Sequence, residues 1–300
     1  MILKPAALKP GDTIAVIAPA GPVAPSELQP GIDLLTGSGF PVVTGDHLYD
    51  RQDYLAGSDT DRLEDLHGAL RQKSVRAIFC ARGGYGIHRL LGGIDYRLFR
   101  KNPKILVGYS DITALLLAVQ KRTGLVTFHG PMVKDLMKGG KRNLRALLDL
   151  ISRGLTPTLN LAKAEILNPG REEGKLLGGN LSLIAHLVGT RFMPDLKGAI
   201  LFVEDRGEPL YRIDRMLAHL KLSGVLKGIS ALLAGRFEDC GEQERIDRLL
   251  LDAVGDLGVP VVSGLPFGHG EKNMPLPVGH LSVLDTGTRT LSFTEPAVVR

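Results

Sequence analysis

The chain has 300 residues, 44% of them hydrophobic and 23% charged, enough for one large or two ordinary domains with a real core. That composition excludes intrinsic disorder, collagen-like repeats and coiled coil. The net charge is +5, but acids are interleaved with the basic residues, as in Arg62-Leu63-Glu64-Asp65. Trp is absent and aromatics make up 5%, so neither a basic face nor a base-stacking platform for nucleic acid is expected.

The first half alternates short apolar runs with helical patterns. Strands are predicted at 13–18, 41–44, 75–81, 104–107 and 125–128. Helices are predicted at 26–37, at 59–72 with Asp59 or Thr60 as the cap, at 87–91, and at 111–122 closed by Gly124. Continuous apolar strands alternating with helices argue for a parallel, doubly wound sheet. From 156 to 177 the pattern breaks into short extended pieces with Pro, Gly and Glu breakers. Helices at 180–188, 211–222 and 244–255 then flank strands at 199–203 and 229–235, and a hairpin pairs 280–284 with 289–293. The expected division is a domain over 1–155 and a smaller mixed α/β domain over 156–300.

Two cysteines, Cys80 and Cys240, allow no disulfide framework and no zinc pattern. The beginning Met1-Ile2-Leu3-Lys4-Pro5 has no apolar h-region, and no stretch reaches the length of a membrane span. A cytoplasmic protein without membrane contact is the expectation.

Four segments could carry chemistry. Gly108-Tyr109-Ser110-Asp111 stands where a strand turns into a helix, the setting of a nucleophile elbow, although Ile112 replaces the second glycine of that motif. From this segment alone, the plainer reading is that Ser110 or Asp111 caps the helix. Arg82-Gly83-Gly84-Tyr85-Gly86 also joins a strand to a helix and could present backbone N–H groups to an anion, or be a plain tight turn. It fails the dinucleotide fingerprint, because Arg89 occupies the last glycine position. Glu204-Asp205-Arg206-Gly207-Glu208 puts carboxylates past a strand, with no histidine spaced for a metal. Finally, His269 lies between two glycines in a long loop, free to reach a cleft as a base. Of the eight histidines, His129 is its main rival, following a strand and preceding Gly130-Pro131.

Together these segments resemble the LD-carboxypeptidase family. The resemblance rests on the 13–22 segment (TIAVIAPAGP), the Arg-Gly-Gly-Tyr-Gly loop and Gly108-Tyr109-Ser110-Asp111. It continues through Phe128-His129-Gly130-Pro131, Gly178-Gly179-Asn180-Leu181, Glu204-Asp205 with Tyr211-Arg212-Ile213-Asp214-Arg215, and the 269–279 loop. It implies a flavodoxin-like N-terminal domain carrying Ser110 as nucleophile, with Glu204 and His269 on a separate C-terminal domain as orienting residue and base. Such a triad is defined by geometry rather than chain order. Asp111 and Gly84 are the expected backbone donors to an oxyanion, and Asn180 and Tyr85 the candidate substrate contacts, Asn180 being open to reading as a helix cap. Arg82 or Arg206 could hold a substrate carboxylate. The resemblance implies a cytoplasmic homodimer that removes D-Ala from murein tetrapeptides in cell-wall recycling, without metal or organic cofactor. Two alternatives stand beside it: a self-immunity hydrolase of microcin-C-type peptidyl nucleotides, and a non-enzymatic module whose glycine loop cradles a phosphate.

Overall fold

A computed structural model describes residues 2–138, 141–153, 155–156 and 158–300. In chain order the first part comprises β1 (Thr13–Ile17), α1 (Pro25–Gly37), β2 (Val42–Thr44), α2 (Asp59–Arg71), β3 (Val75–Cys80), α3 (Ile87–Leu90), α4 (Tyr96–Lys101), β4 (Ile105–Gly108), α5 (Thr113–Thr123), β5 (Thr127–His129) and α6 (Lys141–Ile151). There follow β6 (Leu159–Asn160), β7 (Glu165–Asn168), β8 (Arg171–Asn180), α7 (Leu181–Leu187), β9 (Ala199–Arg206), α8 (Leu210–Leu222), β10 (Ala231–Glu238) and α9 (Gln243–Val254). The last strands are β11 (Val261–Ser263), β12 (Leu276–Val278), β13 (Leu281–Asp285) and β14 (Thr290–Phe293).

The first sheet has the order β2-β1-β3-β4-β5-β12. Its five leading strands are parallel, in the 2-1-3-4-5 order of flavodoxin-like folds. Alternation along β1 explains why both faces are covered. Ile14 and Val16 enter one apolar cluster with Leu28 and Leu35 of α1 and Leu147 of α6, while Ala15 and Ile17 enter another with Leu66 and Leu70 of α2 and the residues of α5. The sixth strand, β12, comes from far down the chain and pairs antiparallel with β5, Leu276 opposite His129. Its residues lie within the 269–279 segment, which the sequence suggests is a loop. Pro275 and Pro277 hide this strand, which sits at a sheet edge where a missing N–H is tolerated.

The second sheet runs β6-β14-β13-β8-β9-β10-β11-β7. Strands β8 to β11 are parallel, and the flanking pairs are antiparallel. The ten-residue β8 overlaps the 156–177 stretch, where the residues suggest only short extended pieces and breakers. Its first half is exposed and charged, and its second half contains two glycines, so it carries no alternating signature. Helices α4 and α6 are further elements beyond those the sequence pattern predicts. The cap of α2 is Ser58, whose hydroxyl accepts from Asp61 N–H, rather than Asp59 or Thr60.

The two sheets meet across α5. Thr113 to Val119 are buried on every side of this helix, as expected of a helix enclosed on all faces. Gly179 makes the close approach possible: a Cβ there would lie 2.5 Å from the Thr113 methyl. The adjoining Asn180 N–H donates to Thr113 Oγ1 at 3.1 Å.

Candidate active site

The loops that leave the carboxyl ends of the first sheet's strands form one wall of the site, the usual location in open α/β sheets. After β4 the chain turns abruptly at Ser110, which has φ +60° in a short 3-10 turn over Ser110–Ile112. This left-handed conformation is uncommon for a side chain with a Cβ and is the kind of strain found at reactive positions. The turn fits because Gly108 leaves room for Ile112, which a Cβ at position 108 would meet at 2.6 Å.

The glycine loop after β3 closes on this turn. Gly83 faces Ser110, while Gly84, at φ +119°, packs on Gly21. Gly21 N–H donates to Gly83 O at 3.1 Å, tying the loop after β1 to the loop after β3. Arg62 braces both from beneath. Its buried guanidinium donates to Pro19 O at 2.7 Å and pairs with Asp59, and it also packs against Gly86. Asp111, 3% exposed, accepts from Ile87 N–H at 3.0 Å and anchors the start of α3. Burial pushes its carboxyl up to about 6.

The opposite wall comes from the second sheet. Glu204 and Asp205 are neighbours on β9, so they point to opposite faces. Asp205 holds the start of α7: it accepts from Asn180 Nδ2 at 2.8 Å, Ser182 Oγ at 2.8 Å and Ser182 N–H at 2.9 Å. Glu204 is fully buried and accepts from His269 Nδ1 at 2.6 Å. The other ring nitrogen, Nε2, lies 3.1 Å from Ser110 Oγ. Gly268 lets the histidine loop come this close, because a Cβ at that position would fall 2.6 Å from Glu204 Oε2. Burial alone would lower the His269 pKa, but the hydrogen bond and charge of Glu204, with Asp205 behind, raise it above the ordinary histidine value. The Tyr109 ring covers the imidazole edge-on at 4.9 Å and is fixed by its hydroxyl, which donates to Asp135 at 2.9 Å.

Ser110, His269 and Glu204 thus form one hydrogen-bonded line assembled from both halves of the chain. The other sequence candidates are placed differently. His129 is buried in a cage of aromatic rings. The Asn180 side chain is occupied, its oxygen capping α7 through Leu183 N–H at 3.2 Å and its amide on Asp205, so the helix-cap reading describes it. Tyr85 is half exposed and meets exposed Tyr54 edge-on at 5.4 Å. Arg82 donates to Pro22 O at 3.0 Å, whereas Arg206 lines a cavity of about 420 Å³ beside His269. Lys138, Arg236 and Lys272 share that cavity with Glu238 and Asp239. No sequence motif marks these three cations, which come from separate segments and converge only on folding. Among the described residues, His47, Asp50 and Asp61 bring potential metal-ligand atoms within 4.8 Å of one another. They lie outside the Ser110 site and are engaged as an ion pair and a helix cap. No described helix is long and apolar enough to cross a membrane.

A serine aligned with a histidine and a buried carboxylate, on a flavodoxin-like sheet, defines a hydrolase of the serine type. The LD-carboxypeptidase N-terminal domain matches residues 14–130 and its C-terminal domain residues 173–284. The chain belongs to the LD-carboxypeptidase family. It is 40% identical to a Bacillus subtilis protein named probable murein peptide carboxypeptidase, over 96% of this chain and 93% of that one. It is 36% identical to the murein tetrapeptide carboxypeptidase of Pseudomonas aeruginosa, over 91% and 92% of the two chains. The structure of MccF in complex with glutamyl sulfamoyl guanosine superposes with a TM-score of 0.92 at 25% identity, covering 99% of both chains.

Proposed function

We propose that this protein is a cytoplasmic serine LD-carboxypeptidase that releases the terminal D-Ala from murein tetrapeptides during cell-wall recycling. The observation that carries the reading is the line Ser110 Oγ, His269 Nε2 and Nδ1, Glu204 Oε2, with separations of 3.1 and 2.6 Å. A serine hydroxyl is a weak nucleophile until a base takes its proton. His269 is that base, and Glu204 holds the ring with Nε2 toward the serine and stabilises the imidazolium.

Ser110 Oγ attacks the carbonyl of the amide joining an L-centre to the terminal D-residue. The negative charge that develops on the carbonyl oxygen falls to the backbone N–H groups of Asp111 and Gly84. One such donor is worth about 3 kcal/mol in comparable sites. His269 then gives its proton to the leaving amine, D-Ala departs, and water activated by the same imidazole hydrolyses the acyl-enzyme. No metal enters these steps. Arg206 and the neighbouring cations suit the substrate's carboxylates, since a guanidinium binds a carboxylate through paired hydrogen bonds. The exposed Tyr85–Tyr54 pair is a candidate contact for the rest of the peptide. A homodimer is the expected assembly.

The likeness to MccF favours a second reading, hydrolysis of a peptidyl nucleotide. One experiment separates the two. Purified murein tetrapeptide is incubated with the wild type and with Ser110→Ala, and free D-Ala is measured by mass spectrometry. Release by the wild type, with at least about a 10³-fold loss in the variant, supports the carboxypeptidase. No release by either folded protein, with cleavage of a peptidyl sulfamoyl nucleotide by the wild type, supports the second reading. Inertness toward both, with retained ligand binding, leaves a binding module.

A further inference from the structure

Behind the catalytic line lies a group of buried polar atoms that the mechanism above leaves unused. Glu204 gives Oε2 to His269, but its Oε1 is buried with no hydrogen-bond partner among the described residues. Both ring nitrogens of His129 and the Nδ2 of Asn273 share that condition. The exposures of Glu204, His129 and Asn273 are 0%, 0% and 2%. Buried polar groups of native proteins are overwhelmingly hydrogen-bonded, so each such atom calls for an explanation.

The three side chains gather at one place. His129 ends β5, and its ring meets Phe202 edge-on at 5.3 Å and Phe267 at 6.2 Å. Phe202 stands two residues before Glu204 on β9, so both project from the same face. Phe267 stands two residues before His269. Tyr109 touches both imidazoles, with centroids 5.8 Å from His129 and 4.9 Å from His269. Asn273 reaches the same region from the histidine loop: its Oδ1 accepts from Gly268 N–H at 3.1 Å, and Gly268 is the residue pressed against Glu204.

Donor and acceptor accounting then selects an arrangement. The Gly268 N–H fixes the Asn273 amide with its oxygen toward the loop, so its free group is a donor. Glu204 Oε1 can only accept. A neutral imidazole has one donor and one acceptor, and is the group that matches both. Burial among aromatic rings lowers the His129 pKa to about 4 and keeps the ring neutral. We propose that neutral His129 is a positioning residue of the site, accepting from Asn273 Nδ2 and donating to Glu204 Oε1, each contact direct or across one water. With both oxygens engaged, Glu204 has one orientation, and Oε2 stays aimed at His269. The link also couples the histidine loop, through Gly268 and Asn273, to the carboxylate that its own His269 needs.

The inference rests on the Ser110–His269–Glu204 reading, and its test keeps the two apart. His129→Leu keeps bulk and removes both hydrogen bonds, while His129→Gln keeps a donor and an acceptor. D-Ala release by His129→Leu is expected to show kcat lowered about 10- to 100-fold with KM within about 2-fold, and His129→Gln to recover most of the loss. In a Glu204→Gln background, adding His129→Leu should lower the residual rate no further, because its whole effect passes through Glu204. A packing role alone would multiply the two losses. Should His129→Leu not fold, Asn273→Asp keeps an oxygen for Gly268 N–H, removes the donor to His129 and is read by the same kcat-against-KM split. The proposal is overturned if His129→Leu keeps kcat within about 2-fold, or lowers it equally in both backgrounds. Ser110→Ala is assayed alongside. If it is inactive while His129→Leu is unimpaired, the His129 link fails alone; if it turns over substrate, the triad reading falls and the link with it.

Discussion

A methyl group on Gly83 would lie 2.9 Å from both Cβ and Oγ of Ser110. The φ of Gly83 lies outside the left-handed region, so the cost of a side chain there is steric and local to the serine. Gly83→Ala should cost about 1–3 kcal/mol of stability and lower kcat by about 10- to 100-fold, as expected when a nucleophile is displaced by a fraction of an ångström. Steady-state kinetics beside a melting curve checks this. Unchanged turnover would mean that the loop yields freely.

Replacing Glu204 with Gln removes the charge that raises His269. The base must be neutral to accept the serine proton, so the wild-type kcat/KM should rise with pH through a value above the ordinary 6.5. In Glu204→Gln that limb should move to lower pH, since burial is then opposed only by the weaker pull of Asp205, and kcat should fall by about 10³- to 10⁴-fold. The pair also contributes to stability: its contribution is whole below the ordinary histidine value and disappears as pH rises through the raised one. A pH–rate profile and a denaturant series measure the two effects.

Asp111 gives a stability effect of opposite origin. Its folded-state value of about 6 lies above the ordinary 3.8, so the folded protein holds an extra proton between them, and stability from this group declines as pH rises through that window. Asp111→Asn retains an oxygen for Ile87 N–H and removes the titration. The variant's stability relative to wild type should therefore grow from about pH 4 to pH 6, by up to about 3 kcal/mol. Urea titrations at several pH values read it; a difference independent of pH would refute it.

Leu116 is fully buried in the helix between the two sheets. Leu116→Ala should cost about 2–5 kcal/mol. Because α5 lies between both sheets, the loss should appear in a single cooperative transition. Two separated urea transitions would show that the halves unfold independently.

The periodic parts of this protein were legible in its residues. Continuous apolar strands and amphipathic helices in the first half predicted the parallel sheet, and the tail alternation predicted the hairpin of β13 and β14. The histidine between two glycines and the serine at a strand-to-helix turn were visible as candidates, because unusual local backbone demands unusual residues. Local patterns do not reveal β12, whose Pro277 is tolerable only at a sheet edge.

The choice among neighbouring carboxylates also required the fold. Glu204 and Asp205 are chemically equivalent in sequence, and only the pleat of β9 sends one to His269 and the other to the start of α7. His129 and His269 each precede a glycine, and only the fold aims one ring at Ser110 and buries the other among aromatic rings. Sequence spacing records distance along the chain, whereas catalysis and burial depend on distance through space. Residues 110, 204 and 269 become neighbours only when two sheets close on α5.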